Sequence, residues 1–131
     1  MSDSQATFED LLIDEEEISE NLLSETLIDY VRIGQDSGNV IPQEPFEDLT
    51  NQQKLTIMLL AQHALTELDF TEEAWLTPSA IAKRSGMKKG SVYPTVRDLN
   101  EDGIAESDNG AYQIPVHNLE AAKRILPQED A

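Results

Sequence analysis

Five cations stand close together in an otherwise acidic chain. Lys83, Arg84, Lys88, Lys89 and Arg97 fall within fifteen positions, and no Asp or Glu occurs between Glu73 and Asp98. The chemistry such a group offers is electrostatic: neutralising a polyanion such as a phosphate backbone, with arginine adding a fork that fits a guanine edge. The chain carries a formal charge of −17. An acid-free window of this length runs against that composition, so a negatively charged partner is expected there.

Other chemistries find no matching residues. There is no cysteine and only two histidines, His63 and His117, which excludes disulfides, a thiol nucleophile and a Cys/His zinc site. His63 lies in an apolar helical run with no Ser, Cys or acid partner signalled nearby, and reads as a helix-flank residue. No paired-carboxylate, nucleophile or phosphate-loop pattern occurs, and the acids at 14–17 read as helix capping and solvation. The expectation is a non-enzymatic protein without metal or cofactor.

The cations need elements to hold them. Thr77-Pro78 is a helix start, a capping hydroxyl followed by a proline whose missing N–H costs nothing in the first turn. A short helix over about 78–85 follows, with Ile81 inward and Ala82 small enough for a close crossing. Gly86 supplies the tight turn. A further helix over about 88–102 has Val92, Val96 and Leu99 as its buried stripe and ends at Gly103. Gly90, Pro94, Arg97 and Glu101 lie opposite that stripe, with Ser91 and Tyr93 at its flanks. Pro94 is read either as shaping the first turn or as a tolerated helix-start proline. Two short alternating runs, 104–107 and 111–114, then surround Asp108-Asn109-Gly110, and Asn-Gly is the strongest short hairpin signal. A hairpin in this place makes the unit a winged helix-turn-helix.

Upstream, Thr50 caps a long helix to about Leu68 with a broad apolar face (Leu55, Met58, Leu59, Leu60, Ala61, Leu65, Leu68), the expected central helix. Asp14 with Glu17 reads as a capping box, and Ile18, Leu22, Leu23, Leu27, Tyr30 and Val31 recur at helical spacing, predicting a helix over 14–34. Residues 35–48, with two prolines and a glycine, read as a linker. Asn118 is expected to cap a last helix ending near Leu126. The fold class is mainly α with a small β-hairpin: an acidic tail (1–13), an N-terminal helical arm (14–34), the linker (35–48), a winged helix-turn-helix domain (49–126) and a tail (127–131). In the first tail Phe8, Leu11, Leu12 and Ile13 are placed to pack locally.

The segment Leu76 to Ser107, LTPSAIAKRSGMKKGSVYPTVRDLNEDGIAES, resembles the winged helix-turn-helix of prokaryotic transcriptional regulators. Within it, GSVYPTVRDLNEDGIA is similar to the Gly-x-hydrophobic-Tyr-Pro run of PadR-like regulators, with related patterns in MarR-like and TrmB-like families. The resemblance covers about a third of the chain and implies sequence-specific binding of double-stranded DNA by a homodimer, with the third helix in the major groove and the wing on the backbone or minor groove. It places Lys88, Lys89, Ser91, Tyr93, Pro94 and Arg97 on the recognition helix, Lys83 and Arg84 on the helix before it, and Asn109 at the wing tip. Two features depart from the pattern: the wing holds two acids and no Lys or Arg, and the N-terminal arm does not resemble the C-terminal dimerisation region of PadR-like proteins. A winged-helix adaptor that binds protein within a transcription, replication, partition or virion assembly is the alternative.

Residues 1–50 hold fourteen acids and one basic residue, Arg32. Three roles are open to this acidic arm. It solubilises and packs on its own domain or forms the dimer, through Ile18, Leu22, Leu23, Leu27 and Val31; it docks a protein partner; or Glu15, Glu16 and Glu17 occupy the basic cluster and mimic phosphate. The acidity resembles that of proteins from salt-accumulating archaea, although Lys is no scarcer than Arg, five against four. No run of about 18 apolar residues exists and the N-terminus is acidic, so a cytoplasmic protein without a membrane span is expected.

Overall fold

The clearest helix starts in the chain are Thr50 and Thr77, and in the computed structural model, which describes residues 5–128, a helix follows each. The expected tails at 1–13 and 127–131 lie partly outside the described residues. Nine elements follow in order: α1 (Glu15–Leu27), β1 (Val31–Ile33), β2 (Val40–Pro42), α2 (Asn51–Glu67), α3 (Pro78–Ser85), α4 (Lys89–Glu101), β3 (Glu106–Asp108), β4 (Ala111–Gln113) and α5 (Leu119–Ile125). Short 3-10 turns precede α1, α2 and α5. The described residues are mainly helical, with two antiparallel hairpins among them, β1–β2 and β3–β4.

α2 is the hub. Thr50 Oγ1 accepts from the Gln53 amide at 3.2 Å while Gln53 Oε1 accepts from the Thr50 amide at 2.9 Å, a reciprocal cap. Every residue from Leu55 to Gln62 is buried, the mark of a helix surrounded on all sides. It contacts α1, α3, α4, α5 and β4. The two buried polar side chains in this run are satisfied: Thr56 Oγ1 donates to the Gln52 carbonyl at 2.8 Å, and Gln62 Nε2 donates to the Glu73 carbonyl at 2.6 Å.

The N-terminal third departs from the helical arm and linker expected of it. The helix expected over 14–34 stops at Leu27, and the Tyr30 amide turns back to the Leu27 carbonyl at 2.9 Å. Val31-Arg32-Ile33 then pairs with Val40-Ile41-Pro42. Beyond Leu27 the chain carries Ile28, Val31 and Ile33, β-branched residues that favour a pleated surface over a helix, and the helical spacing of Tyr30 and Val31 is coincidental. The stretch 35–48 is no linker either: it supplies β2 and a 3-10 turn, Glu44–Asp48, that buries Phe46 completely beneath Lys54, whose Nζ stands 5.6 Å from the ring centre. One core runs without a break from Leu23 and Leu27 through Phe46 and the α2 side chains to Leu126. Arm and domain are therefore packed together.

That packing also uses up the face assigned to a dimer. Leu23, Leu27 and Val31 are buried inside their own chain, Leu22 is half-buried, and Ile18 alone is exposed. Conversely Phe8, Leu11, Leu12 and Ile13 do not pack locally; they sit on and just after a solvent-exposed 3-10 turn, Phe8–Leu11. Among the described residues no helix is long and apolar enough to cross a membrane.

Candidate nucleic-acid interface

α3 and α4 form as their local signals predict. Thr77 Oγ1 accepts from the Ala80 amide at 3.2 Å, Pro78 occupies the first turn, and Gly86 at φ +78° closes α3 with its amide on the Ala82 carbonyl. A side chain at Gly86 would meet nothing within 4 Å, so backbone conformation alone favours glycine there. Val92, Val96 and Leu99 are fully buried against the core, which turns the opposite side of α4 outward. Lys89, Tyr93 and Arg97 follow at i, i+4 and i+8, an exposed ridge about 12 Å long that starts beside the buried stripe at Lys89 and reaches the outward side at Arg97. Lys89, Pro94 and Arg97 are exposed, as is Tyr93 at 46%, and Ser91 is half-buried.

Pro94 stands in the second turn of α4, beyond the helix start expected for it. It has no N–H for the Gly90 carbonyl, so one intrahelical hydrogen bond of α4 is missing there. Acids resume beyond the ridge, Asp98, Glu101 and Asp102, so α4 is basic at its N-terminal end and acidic at its C-terminal end.

The hairpin beside these helices has the expected turn. Asn109 at φ +50° and Gly110 at φ +81° sit between β3 and β4, with Ser107 opposite Tyr112. One contact had no local signal: Leu76, just before α3, exchanges both backbone hydrogen bonds with Tyr112 at 2.8 Å. That rung ties the start of α3 to β4. The hairpin tip is exposed, and Glu106 and Asp108 keep it acidic; Glu106 Oε2 lies 3.8 Å from His117 Nε2. Asn118 stands at the N-cap of α5 as expected, but its side chain makes no capping bond. Its Nδ2 donates instead to the Gly103 and Ile104 carbonyls at 3.2 and 2.9 Å, holding the chain that leaves α4.

The structure sorts the five cations into two groups. Arg84 is half-buried, and its Nη1 donates to Oε1 of the buried Gln62, which in turn grips the Glu73 carbonyl. Burial lowers the Arg84 pKa from its ordinary value by desolvating the charge. It is a tether between α3 and α2. The signal available in the sequence was Gln62 itself, a polar residue inside an apolar run. Lys83, Lys88, Lys89 and Arg97 are exposed, and no salt bridge engages them among the described residues.

Helix electrostatics separates these four further. Lys83 lies in the last turn of α3, where the helix dipole favours a cation. Lys88 and Lys89 sit at the N-cap and first position of α4, where the dipole and the free amides favour an acid, and the Lys88 side chain makes no cap bond. Helix stability therefore does not account for this pair.

The remaining predicted residues lie elsewhere. Glu15 and Glu16 line a groove with His63, Glu67 and His117 rather than meeting the cations. His63 Nε2 is 3.9 Å from Glu67 Oε2, and its buried Nδ1 has no hydrogen-bond partner among the described residues. The β1–β2 hairpin, Gly38 to Pro42, shares a recess of about 400 Å³ with Lys83 and Arg84. Comparison with protein-family models, curated proteins and solved structures finds no match to the chain.

Proposed function

We propose that the protein binds double-stranded DNA as a winged helix-turn-helix, with the N-terminal half of α4 in the major groove, and that it regulates transcription by occupying its site. The observation that carries this reading is the Lys88-Lys89 pair, exposed and unpaired at a helix N-terminus where both cations work against the helix. The exposed ridge Lys89-Tyr93-Arg97 supports it: recognition helices present their N-terminal residues to base edges, and Arg97 has the fork for guanine. Lys83 adds a phosphate contact from α3, Arg84 positions α3, and Ser91, Pro94 and Asn109 complete the surface.

The magnitudes suit a binder that reads bases as well as charge. Four free cations, each neutralising a phosphate, give log K a slope of about −3.6 against log salt concentration. A chain of −17 is otherwise repelled by DNA, so charge contacts alone hold little at high salt, and base contacts must supply the specific part. Selecting bound fragments from random duplex DNA at several salt concentrations identifies the site. The Lys88→Ala, Lys89→Ala, Arg97→Ala chain should then lose most affinity for it and about 2.7 from the slope. If affinity and slope stay unchanged, the DNA reading fails. The acidic hairpin tip, Glu106 and Asp108, favours the second reading, a winged-helix adaptor that binds protein, and that unchanged slope is the result it expects.

A further inference from the structure

A groove of about 640 Å³ runs along α1 between β1 and the last turns of α2, with Val116 and His117 at its side. Its floor is made of the edges of Leu23, Leu27 and Val31, and two large aliphatic side chains stand uncovered in its walls, Ile28 at 52% and Leu68 at 56% exposure. Its rim is acidic. Glu15, Glu16, Glu20 and Glu67 face Arg32 alone, four carboxylates against one guanidinium, a balance of −3 with both imidazoles neutral.

The shape follows from the helix that forms one wall. Lining residues on α1 fall on two adjacent ridges, Glu16-Glu20-Ser24-Ile28 and Ser19-Leu23-Leu27, each at i, i+4 spacing. They extend for about 18 Å, the length of just over three helical turns. Ridges of this kind accept the ridges of a second helix, and an apolar floor between charged rims is the form used to hold an amphipathic helix.

We infer that this groove docks a basic amphipathic helix of a protein partner, leucine-type side chains on Ile28 and Leu68 and lysines or arginines on the glutamate rim. Charge chooses this occupant over the chain's own exposed Phe8–Ile13 segment. That segment carries Glu9 and Asp10 and is followed by Asp14, so it would bring like charge to the rim. A second copy is disfavoured for the same reason, each bringing −17. The proposal is independent of the DNA reading, since none of these residues belongs to α3, α4 or the β3–β4 hairpin.

The probe is a labelled synthetic helix of about four turns, leucines on one face and lysines on the other, with binding followed by fluorescence anisotropy. Two comparators share its length: the same composition with the leucines dispersed round the helix, and the same stripe with glutamates for lysines. The striped basic helix should bind at least about tenfold more tightly than either. Ile28→Ser with Leu68→Ser should cost about tenfold while leaving far-UV circular dichroism and DNA affinity unchanged, both side chains being exposed. Glu16→Gln with Glu20→Gln should flatten the salt dependence. Equal binding of striped and dispersed peptides would reduce the effect to attraction by an acidic chain and overturn the proposal. So would full affinity in the Ile28→Ser, Leu68→Ser chain, or sedimentation showing that the groove is closed by a second copy which those substitutions release.

Discussion

Replacing Arg84 by alanine separates a positioning residue from a phosphate contact. The side chain donates a charge-assisted hydrogen bond to Gln62 Oε1, and such bonds contribute about 1.5–3 kcal/mol. Gln62 is only 3% exposed, so truncation leaves a buried carbonyl unpaired in addition. Relief of the guanidinium's desolvation, the cause of its lowered pKa, offsets part of the loss. A net destabilisation of about 2 kcal/mol follows, which lowers a urea midpoint by about 1 M for a chain of this size. Lys83→Ala and Arg97→Ala, which remove exposed and unpaired cations, should stay within about 0.5 kcal/mol of the parent. Combining Arg84→Ala with Gln62→Leu closes a double-mutant cycle, whose coupling should be about 1–2 kcal/mol. Arg84→Lys keeps the charge but not the planar fork, so it should fall near alanine in stability. The reasoning is refuted if Arg84→Ala destabilises no more than Lys83→Ala, or if the cycle closes with coupling below about 0.3 kcal/mol.

Lys88→Asp supplies the N-cap that α4 lacks and suits the helix dipole, so it should raise thermal stability by about 0.5–1 kcal/mol while removing affinity for selected DNA fragments. Phe46→Ala empties a site at 0% exposure and should cost about 3–5 kcal/mol by denaturant titration, where a linker residue would cost almost nothing. Gly38 and Gly86 share a positive φ, but a Cβ at Gly38 would lie 2.6 Å from Phe70 Cδ1 whereas one at Gly86 meets nothing. Gly86→Ala should therefore cost about 1–2 kcal/mol of backbone strain, and Gly38→Ala about 1–3 kcal/mol more, part of which Phe70→Ala restores.

Much of the fold could be read from the chain because its signals act over a few residues. The Thr50 box closes over three positions, Thr77 over three, Gly86 over four, and Asn109-Gly110 dictates its own turn; α2, α3, α4 and the β3–β4 hairpin follow from these. Periodicity also oriented α4, since Val92, Val96 and Leu99 had to face the core and so left Gly90, Pro94, Arg97 and Glu101 outside, with Tyr93 at the flank. The N-terminal third was less legible. Its apolar residues satisfy a helical period and a strand period at once between Leu27 and Ile33, and only pairing with Val40-Ile41-Pro42 resolves the choice.

What composition and spacing established was a cluster of cations set against the charge of the whole chain, and the two helices that carry it. What tertiary structure decided was which cations are free. Arg84 meets Gln62 across 22 positions, and Leu76 meets Tyr112 across 36; hydrogen bonds between residues so distant leave no period in the sequence. The groove along α1 arises the same way, because Leu23 and Leu27 were bound to be buried somewhere, and only the packing of α1 on α2 left Ile28 and Leu68 uncovered beside them.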